Sequence, residues 1–209
     1  MLERFAASFR LLPPGQVPGA LWADDRLLTV TGYTELASRF AGCSFENGIY
    51  RLHDEQTGPR GEVWIAEAFP QFASRACPFG FDWLGRQFAL DSGRLYGGEP
   101  LVLLFEPGTG EVLEIPFSFA RFHEQLDELR EPALADSFFA SWAQANPALL
   151  PLDMTVCVGY RVPLFLDGKD TLENLQVIDL EVYWSVSGQV RQGTQTLPQG
   201  TAIGQVRRA

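Results

Sequence analysis

Phe79-Gly80-Phe81-Asp82-Trp83-Leu84-Gly85-Arg86-Gln87-Phe88-Ala89-Leu90-Asp91 is the stretch that decides the fold. At a period of two, Phe79, Phe81 and Trp83 fall on one face of a strand, Leu84-Gly85 makes a turn, and Phe88 and Leu90 share a face of the returning strand. The stretch reads as the central β-hairpin of one core, with Phe79, Phe81, Trp83 and Phe88 as structural residues and Asp82 and Arg86 meeting near the turn. A charge flanked by so many aromatics is more often a paired structural group than a reactive one.

Downstream, the apolar run 101–106 predicts a fully buried strand. Glu106-Pro107-Gly108-Thr109-Gly110-Glu111 predicts a tight connection with two glycines available for positive φ, and 112–115 predicts a return strand. Upstream, Asn47-Gly48 signals a turn into a strand over 49–53, followed by a polar loop over 54–61 and another strand over 62–66. Residues 1–12 read as a short helix ended by Pro13-Pro14-Gly15. Residues 21–33 are ambiguous but lean to strand at 26–31 by β-branching, and 35–41 read as helix.

Two helices follow the meander. Ser118 is the expected N-cap of the first, with Phe119, Phe122, Leu126 and Leu129 as its apolar stripe. The second carries Pro132 in its first turn and Leu134, Phe138 and Trp142 four apart. Residues 155–166 read as an interrupted strand. Residues 176–186 alternate with a period of two and are read as strand, although a helix capped by Asp179 and ending at Gly188 fits the same letters. A further strand is expected at 201–206. Strands, then two helices, then strands argue for an α+β fold, a mostly antiparallel sheet with helices packed on it, in a single domain over 1–209.

Composition bounds the function. A net charge of -10 repels nucleic acid and anionic membrane and favours a basic partner. Cys43, Cys77 and Cys157 are odd in number and far apart, which predicts free, mostly buried thiols in a reducing compartment. The first residues lack the order of a signal peptide, and no apolar run approaches a membrane span, so the expected location is cytoplasmic.

Candidate chemistry is sparse. His53 is placed at a strand end and His123 on the polar flank of a helix, seventy residues apart with no third partner implied. Glu111 and Glu114, three apart on a strand, point to opposite faces and make no carboxylate pair. Neither GxGxxG nor GxxxxGK[ST] is present. The expectation is no catalytic residue, no metal and no cofactor. The surface feature singled out is the run Asp167, Asp170, Glu173, Asp179 and Glu181, set against one base, Lys169. With Tyr183 on the same strand face as Asp179 and Glu181, it is either a solvated face or a docking patch for a basic partner.

The run 79–89, the strand-turn-strand 101–112, Val156-Cys157-Val158-Gly159-Tyr160, Pro163-Leu164-Phe165-Leu166 and the stretch 42–52 resemble bacterial proteins with a GAD-like N-terminal segment and a type VI secretion immunity C-terminal segment, near the SUKH immunity superfamily. The chain departs from the pattern at Asp167-Gly168, where a Gly-Gly pair is expected. The resemblance implies a SUKH-like fold, a subdivision at 1–75 and 76–209, and a cytoplasmic immunity protein that binds and neutralises a toxin such as a secreted nuclease. It brings no catalytic residues. A regulatory or scaffold module of the same fold, or less readily a small-molecule enzyme, stays open on the sequence.

Overall fold

The computed structural model describes residues 3–194. The expected strand at 201–206 lies outside them. Within them, segments of alternating apolar residues build an antiparallel meander whose order in the sheet is their order in the chain. Its strands are β1 (Ser44–Phe45), β2 (Tyr50–Leu52), β3 (Ala76–Asp82), β4 (Gln87–Tyr96), β5 (Glu99–Glu106) and β6 (Glu111–Ser118). Beside it lies a hairpin of β7 (Val156–Tyr160) and β8 (Leu175–Asp179). The helices are α1 (Glu3–Ser8), α2 (Asp25–Leu28), α3 (Tyr33–Phe40), α4 (Thr57–Ala68), α5 (Phe119–Gln125), α6 (Arg130–Leu134), α7 (Asp136–Ala145) and α8 (Leu180–Thr194). This is the expected α+β architecture, and the β2–β3 pairing crosses position 75.

The sheet is covered on both faces. Cross-strand partners Phe88 and Leu104, and Leu90 and Val102, point into the larger core with residues of α1, α3, α5 and α7. Their neighbours Ala89 and Leu103, with Phe105, point into a second core closed by Trp64 and Ile65 of α4 and Trp184 of α8. Strands buried on both sides carry continuous apolar runs, which is why 101–106 reads as it does.

The central hairpin forms with one correction. The β3–β4 register slips between Pro78 and Gly80, a β-bulge at Phe79. The extra residue reverses the alternation, so Phe79 enters the larger core and Phe81 the smaller one, while Trp83, past the end of β3 in the turn, returns to the larger core. Gly80 sits so close to β2 that a Cβ there would lie 2.7 Å from the Arg51 carbonyl oxygen and 2.8 Å from the Tyr50 hydroxyl.

Other expectations give way to helix. The expected loop over 54–61 and strand over 62–66 are instead the approach to α4 and α4 itself. Asp54 Oδ1 accepts from the Gln56 and Thr57 amides and the Thr57 hydroxyl, and Gly61, Trp64, Ile65 and Ala68 bury one helical stripe. The strand leaning at 26–31 fails as well, because Asp24 caps α2 through the Arg26 amide at 2.9 Å. The helix expected after Pro132 is two helices, broken at Ala135, whose φ of 51° is left-handed. Residues 176–186 divide: strand through Asp179, then helix, with Asp179 Oδ1 accepting from the Val182 amide at 2.9 Å.

Candidate functional site

The site is organised around the 82–86 turn, where the Gly85 amide donates to the Asp82 carbonyl and the Asp82 amide to the Arg86 carbonyl. The Asp82 carboxylate is wholly buried and accepts three bonds. Oδ1 takes the Leu84 amide at 3.0 Å and the Arg86 amide at 2.9 Å, and Oδ2 takes Arg86 Nε at 2.6 Å. Arg86 also donates to Glu106 Oε1 at 2.7 Å and to the Ala133 carbonyl at 2.8 Å. Burial pushes the Asp82 carboxyl above the usual carboxylate range, while Arg86 pulls it back. Burial likewise opposes the Arg86 charge, but Asp82 and Glu106 outweigh it and hold the guanidinium above its ordinary value.

Two indoles fasten this turn from opposite sides. Trp83 Nε1 donates to the Leu134 carbonyl at 2.8 Å, and Trp184 Nε1 donates to the Gly85 carbonyl at 2.8 Å. Behind it Arg51 is fully buried, donating to the carbonyls of Asp82, Asp153 and Val156 and lying 4.3 Å over the Phe81 ring. Burial draws its pKa down to about 10. The expected pairing of Asp82 with Arg86 is therefore present, with both side chains held by partners inside the fold.

Next to the turn a cleft of about 140 Å³ opens. Its floor is Leu84, Arg86 and Glu106, and its walls come from Ala135, Phe138 and Tyr160. The Leu164 amide donates to the Gly108 carbonyl at 2.8 Å, tying the 107–110 turn to the segment after β7. Glu106 Oε2 accepts the Thr109 hydroxyl at 3.1 Å, and Asp170 Oδ1 accepts the Tyr160 hydroxyl at 2.7 Å. Tyr183, 4% exposed, also lines the cleft, and its hydroxyl accepts a long bond of 3.4 Å from the Tyr160 amide. Burial raises the pKa of both tyrosines, with the Asp170 bond and charge adding to the effect at Tyr160 and Cys157 adding to it at Tyr183. A wider groove of about 670 Å³ lies between the β4–β5 hairpin and the start of α5. Its charges are already engaged there, Glu99 with Thr31 and Arg121 with Glu124.

The acidic run is divided by the fold. Asp167, Asp170 and Glu173 sit in the β7–β8 connection, all exposed. Asp179 and Glu181 sit at the other end of that hairpin, because Asp179 pairs with Val156 while Leu175 pairs with Tyr160. Four residues of strand place the two groups about 13 Å apart. Among the described residues none of the five acids is in an ion pair. Tyr183 does not share a face with Asp179 and Glu181: helix replaces strand there, and its ring turns inward. Asp167 adopts the left-handed conformation, φ 62°, with no glycine to ease it. Gly168 beside it has no room for a Cβ, which would lie 1.9 Å from the Val162 carbonyl oxygen.

Both histidines are interior. His123, expected on a polar flank, is 1% exposed; Nδ1 donates to the Phe119 carbonyl and Nε2 accepts the Tyr50 hydroxyl, each at 2.9 Å. His53 lies between Thr57 and Gln87, at 3.1 and 2.7 Å. Burial lowers both pKa values to about 4. Cys43, Cys77 and Cys157 are free and buried, as expected. No cluster of three or more metal-ligating side chains occurs among the described residues, and no helix among them is long and apolar enough to cross a membrane.

Sequence reasoning missed the cleft itself. Glu106 and Thr109 were legible as a turn and Tyr160 as the end of a strand, but no spacing joins them to Phe138, Asp170 and Tyr183. No family model matches the chain, and a search of curated proteins returned no match. Among solved structures, the chain is similar to the crystal structure of Atu4351 from Agrobacterium tumefaciens. The identity is 13%, the match covers 90% of this chain and 89% of that one, and the TM-score is 0.61. At that identity the likeness establishes a shared fold along nearly the whole chain.

Proposed function

We propose that this protein is a cytoplasmic immunity protein of SUKH-like fold that binds a secreted antibacterial toxin, such as a type VI secretion nuclease, and neutralises it by occupying its basic surface. The observation that carries the reading is the β7–β8 connection: Asp167, Asp170 and Glu173 stand exposed there without ion pairs among the described residues, in a chain of net charge -10. Charges left open to solvent attract a cationic surface over a distance of about 8 to 10 Å at physiological salt and accelerate its approach. The buried acids, bases and histidines support a binding role because each is engaged by an internal partner. Blocking a basic groove requires complementary shape and charge, which such a surface supplies without chemistry of its own.

The test is to express the product of the adjoining gene with and without this protein. Relief of its toxicity and a complex whose association slows with salt are expected. Replacing Asp167, Asp170 and Glu173 together by Asn, Asn and Gln should slow association and flatten its salt dependence. A neighbour that is harmless, or one bound at the wild-type rate by the triple variant at low salt, defeats the reading.

A further inference from the structure

We infer that the cleft beside the 82–86 turn is a receptor for one cationic side chain, an arginine or lysine, presented by the basic partner; this rests on the proposed function for the partner but not for the cleft's chemistry. The size selects a single side chain. A volume of about 140 Å³ falls well short of the ~300–1000 Å³ typical of small-molecule sites, yet exceeds what one or two waters need.

Charge selects a cation. The guanidinium on the cleft floor, Arg86, is already held by Asp82, Glu106 and the Ala133 carbonyl. The cleft lining holds two carboxylates, Glu106 and Asp170, against one guanidinium, and behind it the buried Asp82 and Arg51 add one charge of each sign. An incoming anion would therefore meet a surplus of negative charge and a guanidinium whose partners are already in place.

The walls have the matching chemistry. Phe138, Tyr160 and Tyr183 surround the space with aromatic rings, and rings that face a desolvated cation attract it through their quadrupole. Asp170 stands exposed beside Tyr160, fixed by that residue's hydroxyl, and so offers an oriented carboxylate to a donor entering from solvent. The Tyr183 hydroxyl is an independent sign. Its side chain is 4% exposed, yet among the described residues its hydroxyl makes one bond, the 3.4 Å contact with the Tyr160 amide. A buried hydroxyl so poorly partnered, with one lone pair spare and no acceptor for its O–H among the described residues, marks the cleft wall as a place for a further polar ligand, whose sign the surrounding charges choose.

The experiment uses the full chain and needs no partner. Ethylguanidinium and n-butylammonium are titrated separately against labelled protein, with propionate and butyramide as controls, and the amides of Gly108, Thr109 and Asp170 are followed by NMR. Saturable shifts at these amides with at least one cation, and with neither control, are expected; the stronger cation identifies the preferred side chain. Asp170→Asn should weaken binding about fivefold, the effect of one partly exposed ionic contact, and Tyr160→Phe should weaken it too. Asp170→Asn keeps an acceptor for the Tyr160 hydroxyl, and an unchanged melting temperature confirms its fold. No saturable shift with either cation, shifts equal to those with butyramide, or unchanged affinity in Asp170→Asn would overturn the assignment. A basic partner that binds with the expected salt dependence while neither cation binds removes the cleft and leaves the proposed function standing; saturable cation binding beside a harmless neighbouring gene product does the reverse.

Discussion

The 82–86 turn and the 167–173 connection both line one cleft, and each carries carboxylates: Asp82 in the first, Asp167, Asp170 and Glu173 in the second. Asp82 has three fixed donors and no exposure, whereas Asp167 and Glu173 face solvent. The difference separates two uses of the same carboxylate. Inside, where desolvation is costly, a charge persists when its neighbours are placed in advance, and its removal strands the partner. Outside, water and salt supply the compensation, so the charge remains free to meet something new.

The sharpest way to break this contrast is to attack the turn. Trp83→Ala empties a fully buried site, orphans the Leu134 carbonyl and should cost about 3 to 5 kcal/mol, read as a lower urea midpoint. Asp82→Asn keeps the shape but leaves Arg86 and Arg51 short of a counter-charge; a loss of about 3 kcal/mol or more is expected. An Asp82→Asn protein with the wild-type midpoint would place the turn with the loop, and the contrast would collapse.

A smaller effect comes from pH. The unfolded chain takes up protons on His53 and His123 near pH 6.5, but the folded protein resists until about pH 4 because both rings are buried. Their contribution is present above pH 6.5 and is lost as pH falls towards 4, by about 1.4 kcal/mol per pH unit for each ring at most. Urea midpoints measured between pH 7 and 4.5 should show this fall, and it should be shallower in His53→Gln. The smallest effect belongs to the loop: replacing Asp167, Asp170 and Glu173 together should leave the melting temperature where it was. A clear drop would mean that these acids hold the fold, contrary to their exposure.

The meander was legible because its signals are local. Period-two alternation and glycine turns occur within a few residues of each other, and Asp82 with Arg86 sits inside one such window. Phe81 was misplaced because a bulge leaves no mark in the alternation it disrupts; the tight approach of Gly80 to Arg51 becomes apparent when the strands are paired. Residues 62–66 read as strand because five letters show Val, Trp and Ile together, whereas the helical stripe of Gly61, Trp64, Ile65 and Ala68 needs the whole of α4 to appear. At 176–186 both readings were partly right, strand before Asp179 and helix after it. The acidic run was visible as composition, but its division into two groups follows from the β7–β8 register. The cleft was invisible because its walls come from segments far apart in the chain.

The paired indoles have one further consequence. Trp83 binds the turn to the α6 end of the larger core, and Trp184 binds it to α8 over the smaller one. The backbone at Leu84 and Gly85 is thus a rivet through both layers, and neither layer can peel away without releasing it. Opening that would be local in a sheet with one loose face is expected to become global here: the protein should melt in one cooperative transition, and the amides of Leu84 and Arg86 should exchange with solvent among the slowest of the described residues.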